Sequence, residues 1–430
     1  MTTKNPQIAI VGAGLAGLSA AAAAGRAGAT VTVYEATKAA GGRARTHAKD
    51  GYRFNLGPHA LYPGAAAVLR DLGVEIPGST PNVAGLAYAG GKLHRLPASA
   101  WTLLTTGLLN PLDKAEFVRV MSGLRNGEWH DRTVRDWVES VTGRETVRDL
   151  LFAVLRLATY INAPDDLSAG AALAQFASGT DVIYVDGGWQ TLTRQLEAKV
   201  LEAGGMFVHG SHIEAVVARG GRVQVASHGR AETYDAVVVT GSPGGAKKVL
   251  GSAASAAVQR SAHDAVDARA SVLDLGLDRL PRPRRRFGIG IDSPLYLSVH
   301  SGVARQLAPA GGATVNLARY VPAGEAVDPG VAEATLLDWA DTAQPGWRDH
   351  EVTRRFFPEL TVINAVPLAR HGGLPGRPKS DESGLPGVFI AGDWVGPTGL
   401  IADCATASGV AAGEAAATWA LARQPVAGVA

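Results

Sequence analysis

Three glycines and one acid stand at intervals that suit a dinucleotide. Gly12, Gly14 and Gly17 occupy the segment GAGLAG, and Glu35 follows 18 residues after the last of them. In such a pattern Gly12 permits a tight turn, Gly14 lets the backbone approach a pyrophosphate, and Gly17 lets a helix pack closely on a strand. The N-terminus of that helix offers unpaired N–H groups and a partial positive charge to phosphates. The Glu35 carboxylate can accept hydrogen bonds from both hydroxyls of a ribose, and it repels a 2′-phosphate, which argues against NADP. The motif alone does not separate NAD from FAD.

The elements that must position these residues are legible around them. Gln7 to Val11 (QIAIV) is a short apolar run rich in β-branched residues, the pattern of a buried parallel strand. An alanine-rich helix follows from Leu18 to Ala27, and Thr30 to Tyr34 (TVTVY) forms a second strand that ends on Glu35. Strand, glycine turn, helix, strand and terminal acid come in the order of a Rossmann-like unit. The apolar stretch from Ile8 to Ala24 after Lys4 also has the look of a signal peptide, but glycines at fixed spacing and a downstream acid favour the nucleotide fold.

Residues 40–46, AGGRART, follow directly. With this segment the chain resembles the FAD-dependent superfamily of phytoene desaturases, protoporphyrinogen oxidases and flavin amine oxidases. The resemblance implies FAD as the cofactor, with Gly42 and Arg43 against it and Arg43 as a charge-assisted donor near its phosphates or flavin. Residues 51–59, GYRFNLGPH, resemble the family's next segment, with Asn55 where an aspartate is common. Gly57 and Pro58 then belong to a turn under the flavin, and His59 either packs there or faces the reaction. Further on, DGGWQTLTRQL (186–196) resembles a glycine turn opening a helix, with Leu192, Leu196 and Val200 on its apolar face. Short strands with glycine turns come next. By resemblance the strand HIEAVV holds the adenine through its backbone, at Ile213. VFIAGDW (388–394) resembles the family's last FAD motif, which implies that Gly392 and Asp393 meet the ribityl chain or phosphates. A helix beginning near Leu400 would then direct the backbone of Ile401 and Ala402 at the flavin. Cys404, within that helix, reads as a packing residue.

These motifs imply an α/β protein with a discontinuous FAD-binding domain (1–60, 183–260 and 370–430). An α+β substrate domain is inserted in two parts, 61–182 and 261–369. The first insertion reads as helix-rich, over 65–72, 114–125, 134–141 and 146–157. Its run from Trp101 to Leu109 reads as core, with a channel lip or a membrane-dipping patch as the alternative. The second insertion holds the strand-like runs SVLDLGL, PLYLSVH and ATVNLARY, which fit a mixed sheet walling a cavity above the flavin. His59, Tyr160, His300, Tyr320 and Trp394 are nominated as polar or aromatic groups near the reaction, with His59 the candidate catalytic residue. Many flavin amine oxidases carry a lysine in the second insertion, yet no lysine lies between Val249 and Pro378. That difference favours dehydrogenation of a lipophilic small molecule over amine or amino-acid oxidation. A third reading is a non-catalytic protein similar to GDP-dissociation inhibitors, against which the intact GGRART and AGDW segments argue.

Composition narrows the partners. With 41 basic and 39 acidic residues the chain has no charge excess for nucleic acid. The local cluster Arg282, Arg284, Arg285 and Arg286 reads as a solvated loop, with docking to an anionic membrane or a redox partner as the alternative. One cysteine permits neither an intramolecular disulfide nor a thiolate metal centre, the histidines show no metal-ligand spacing, and a reducing cytoplasm fits best. No stretch other than the N-terminal one approaches the ~18 apolar residues of a spanning helix, so a membrane, if involved, would be touched rather than crossed.

Overall fold

A computed structural model describes residues 5–57, 59–82, 84–124, 129–179 and 181–423. One layer is a five-stranded sheet: β1 (Gln7–Val11), β2 (Thr30–Glu35), β3 (Met206–His209), β4 (Ala236–Thr240) and β5 (Val388–Ala391). The spatial order is β5-β4-β1-β2-β3, and every neighbouring pair is parallel. Such strands are covered on both faces, which is why β1 and β4 are nearly continuous β-branched runs; Ile8, Ile10, Val237 and Val238 are all fully buried.

Two alanine-rich helices pack on this sheet, α1 (Leu15–Arg26) and α2 (Ile401–Leu421). Small side chains let their backbones approach. A Cβ added at Gly413 would lie 2.2 Å from the Ala20 carbonyl oxygen, so only glycine fits there. This close contact fixes where α2 begins, and hence where Ile401 and Ala402 sit. On the opposite face an antiparallel sheet of three strands, Ala215–Arg219, Arg222–Ser227 and Arg230–Tyr234, covers Tyr34 and Val237. The segment HIEAVV is therefore strand only in its second half; His212 to Glu214 lie before it.

The other half of the molecule is built on a mixed seven-stranded sheet. Its order is Glu351–Ile363, Ala268–Leu277, Ala313–Val321, Leu295–Ser298, Phe287–Gly290, Leu86–Ala89 and Lys92–Arg95. All pairs are antiparallel except Phe287–Gly290 with Leu86–Ala89. Period-two alternation sends Leu273, Leu275 and Leu277 to one face, under the helix Pro329–Ala343 with Trp339. Ala270 and Val272 face the other way, toward the helices Val134–Val141, Glu145–Thr159 and Ala169–Ala177. The helix Pro111–Ser122 also packs on that side and is capped reciprocally by Asn110 and Asp113.

The run from Trp101 to Leu109 departs from its reading as core. Its first part forms the helix Ala100–Thr105, with Trp101 and Leu104 68% and 70% exposed, and within the run only Thr106 and Leu109 are buried. The stretch is too short and too near the surface for both faces of its helix to find apolar neighbours. No helix among the described residues is long and apolar enough to cross a membrane.

Candidate active site

A cleft runs along the C-terminal ends of β1, β2, β4 and β5, where ligands bind in parallel α/β sheets. Gly12, Gly14, Glu35, Gly42, Arg43, Gly57, His59, Gly392, Asp393, Ile401 and Ala402 all line it. Gly17 does not, and its role is packing: a Cβ there would sit 1.8 Å from the Gly12 carbonyl oxygen. Gly14 is the converse case, since a Cβ there meets no protein atom within 4 Å and would project into the open cleft. Ile213 is buried under the three-stranded sheet beside Tyr34 and also stays out of the cleft wall. Just ahead of it, Gly210 and Ser211 donate to the carbonyls of Thr37 and Glu35. Pro58 lies outside the described residues.

Glu35 is 8% exposed, and it holds the glycine loop as well as facing the cleft. One carboxylate oxygen accepts from Ala13 N–H at 2.8 Å; the other accepts from the N–H and hydroxyl of Thr37, both at 2.8 Å. Three of about four acceptor sites are thus used internally, leaving capacity for a ribose hydroxyl. Asn55, where an acid is common, has a local structural task. Its Oδ1 accepts from Thr46 Oγ1 at 2.9 Å and from Trp189 N–H at 3.1 Å, tying the strand Tyr52–Asn55 to the helix Gln190–Glu202.

At the far end, Asp393 is 2% exposed and densely bonded. Arg43 Nη2 donates to its Oδ2 at 2.9 Å, Asn364 N–H to the same oxygen at 3.1 Å, and Asn364 Nδ2 to Oδ1 at 2.9 Å. Arg43 Nη1 also donates to Val362 O. Arg43 therefore meets the cleft as half of an ion pair. Ile401, the first residue of α2, has φ +55°. For a β-branched side chain that conformation costs about 1–3 kcal/mol, the kind of strain a functional turn retains. It brings the positive end of α2 to the cleft.

A second, apolar cavity of about 250 Å³ opens beside the first. The two share Arg43, Gly57, His59, Tyr160 and Val362, and Leu56, Ala270, Val272, Tyr296, Ala318, Tyr320, Leu360 and Thr361 form the rest of the wall. His59 stands at the junction, its ring stacked on Tyr296 at 5.5 Å and meeting His300 edge-on at 4.6 Å. Its Nδ1 has no hydrogen-bond partner among the described residues. Burial, opposed by Asp274 and reinforced by Arg355, pushes the imidazole down to about 4, so it is neutral at pH 7. His300 stands behind it, off both cavities, with its own pKa pushed well down, first by burial and then by His59. Of the other nominated groups, Tyr160 lines both cavities and Tyr320 the apolar one. Trp394 lines neither: its indole N–H donates to Gly241 O at 2.7 Å, inside the core.

Sequence reasoning missed Thr240, Gly241, Ser242, Val362 and Asn364 on the cleft wall. The segment VTGSP, a strand ending in Gly-Ser at the sheet's C-terminal edge, carried a signal for the first three. Asn364 carried none. Cys404 is fully buried, as a packing residue should be. No group of three or more potential metal ligands occurs among the described residues.

Residues 15–272, more than half of the chain, match the family model described as flavin containing amine oxidoreductase. An L-amino-acid oxidase from Bothrops pauloensis is 55% identical over 72 residues, which are 16% of this chain and 14% of that protein. Coproporphyrinogen III oxidase from Staphylococcus aureus is 32% identical over 123 residues, 25% of this chain and 26% of that one. The chain thus matches only a small part of the length of these two relatives. Among solved structures, an oxidoreductase from Methanosarcina mazei superposes with a TM-score of 0.75 at 17% identity, covering 94% of this chain and 99% of that one. At that identity the likeness shows the α/β fold, with its parallel sheet and mixed second sheet.

Proposed function

Because the chain belongs to the flavin containing amine oxidoreductase family, we propose that it binds FAD and removes hydrogen from a neutral, lipophilic small molecule. The residues fit that cofactor. Glu35 keeps acceptor capacity at one end of the cleft, Gly14 leaves backbone bare to the open space, and the N-terminus of α2 meets the other end. When bound, FAD supplies the acceptor for a hydride.

The observation that carries the substrate reading is the chemistry of the adjoining cavity. Its only charged side chain among the described residues is Arg43, and Asp393 already neutralises it. A substrate ammonium placed there would meet no free carboxylate, and a buried charge without a partner is costly. A neutral substrate suits both the walls and His59. The neutral imidazole sits where the two cavities meet, placed to take the proton that leaves the substrate as its hydride departs. The apolar walls exclude water and hold the reacting carbon over the cleft.

A second reading, oxidation of an amine or amino acid, draws on the short stretch shared with an L-amino-acid oxidase. One experiment tests both. The purified protein is examined for visible flavin absorption, then titrated anaerobically with neutral alcohols, cyclic ketones and primary amines. Bleaching by the neutral compounds alone is expected. Bleaching by amines alone, with peroxide released on admitting air, would establish the second reading. A protein that stays colourless after FAD is added would remove both.

A further inference from the structure

A separate cleft of about 1260 Å³ is formed by the segments 279–286, 299–313 and 345–350. Among the described residues it shares no lining residue with either cavity of the candidate active site. Arg279, Arg282, Arg286 and Arg305, all exposed, line it against one carboxylate, Asp349. The acids nearby are already engaged: Asp341 pairs with Arg348 at 2.8 Å, and Asp278 meets the His350 ring at 2.9 Å. No described carboxylate pairs with any of the four guanidinium groups. The loop that carries three of them is tied down. Gln344, 1% exposed, accepts from Arg282 N–H at 2.9 Å and donates to the carbonyls of Arg282 and Arg285. Arg285 donates to the carbonyls of Thr342 and Ala343, and Arg286 Nε to Pro283 O at 2.8 Å. Pro281 and Pro283 stiffen the backbone between. On the far wall Arg279 Nε donates to His350 Nε2 at 3.0 Å. Like charges gathered without counter-charge repel one another, and an anion entering the cleft relieves that repulsion.

We propose that this cleft docks an extended acidic segment of a partner protein. Arginine clusters recognise carboxylates through paired N–H donors and keep their charge at any physiological pH. Two features select a peptide over a compact anion. The volume equals roughly 40 waters at about 30 Å³ each, more than a drug-sized ligand fills. Between the arginines the lining is apolar, with Leu280, Pro281, Pro283, Val299 and Pro309. A chain with apolar groups between its carboxylates covers such a surface, whereas a polyphosphate leaves it bare. A flat lipid surface does not enter a concave cleft. Arg284 supplies a comparison within the same loop, for it does not line the cleft.

The test uses the full-length protein at low ionic strength and a fluorescent, end-capped peptide of four Glu-Pro repeats, which stays extended. Anisotropy should report binding of this peptide and none of its Gln-Pro counterpart. Raising the salt to about 0.5 M should weaken binding about tenfold or more. Arg282→Glu and Arg305→Glu should each weaken it about tenfold, while Arg284→Glu, with the same change in net charge, should alter it less than about twofold. The side chains of Arg282 and Arg305 make no hydrogen bond among the described residues, so both variants should keep the wild-type unfolding midpoint. No binding of the Glu-Pro peptide, equal binding of the Gln-Pro one, or an equal loss in Arg284→Glu would overturn the proposal. Tripolyphosphate binding more tightly than the peptide, with the same dependence on Arg282, would overturn it in favour of a polyphosphate site. Sedimentation with phosphatidylserine vesicles that is lost in Arg282→Glu, without peptide binding, would overturn it in favour of a membrane contact.

Discussion

Arg43 and Asp393, 350 residues apart in the chain, form an ion pair at 2.9 Å that joins the first glycine-arginine motif to the turn after the last strand of the parallel sheet. Asn364, just after the strand Glu351–Ile363, donates twice to the same carboxylate, so three distant segments converge on one buried acid. Arg43→Ala would leave Asp393 with Asn364 as its remaining partner. Removing one member of a fully buried pair costs about 3–5 kcal/mol. The Arg43 side chain is 41% exposed, which screens the pair and brings the expected loss to roughly 1–2 kcal/mol. The variant should unfold at lower urea concentration and retain less FAD after gel filtration. Unchanged midpoint and flavin content would show that the pair neither braces the fold nor shapes the cleft.

Gly14 and Gly17 should separate binding from folding. At Gly14 a side chain enters the open cleft, so Gly14→Val is expected to keep the unfolding midpoint of the flavin-free protein and lose FAD. At Gly17 even one methyl collides with the Gly12 carbonyl. Gly17→Ala should therefore force α1 off β1 and cost about 1–3 kcal/mol or more, as overpacking does. Flavin content and denaturant unfolding measured together on both variants check the contrast. Stoichiometric FAD in Gly14→Val would place the nucleotide elsewhere.

What could be read in advance was what the chain encodes locally. β1, α1, β2 and Glu35 lie within 30 residues, each stage marked by its own composition, and the structure assembles them in that order, with α1 starting at Leu15, three residues before the expected Leu18. The C-terminal strand and α2 were equally plain, because an AGDW turn leads into an alanine-rich helix. The cavity wall was not. Its sheet gathers strands from 86–95, 268–321 and 351–363, and no local pattern says that Ala270 will stand beside Tyr320. Trp394 was nominated for its place beside Asp393, but the turn after β5 swings its indole back to Gly241. The apolar residues Trp101 and Leu104 suggested core, and hydropathy could not tell that the short helix carrying them lies at the surface. Asn364 gave no signal, since one asparagine after a strand acquires a role only when Asp393 is folded against it.

The most informative titration is that of Asp403, in the first turn of α2. Its Oδ1 accepts from Ala65 N–H at 2.6 Å, which clamps α2 to the first turn of the helix Pro63–Asp71. Burial pushes this carboxyl up to about 6, against the lowering effect of that hydrogen bond. The α2 dipole also favours the anion, but by about 0.3–1 kcal/mol, less than the burial effect. A carboxyl raised in the folded state makes the native protein hold more protons than the unfolded chain between pH ~4 and ~6. This group's contribution to stability therefore falls as pH rises through that window. With about 1.36 kcal/mol per pKa unit, the loss is roughly 2–3 kcal/mol by neutral pH. Asp403→Asn keeps an oxygen for Ala65 and removes the charge. Urea unfolding at pH 4 should find the two proteins equally stable, and at pH 7 the asparagine variant should be the more stable by about that amount. A difference that does not change with pH would mean that the carboxyl ionises without penalty.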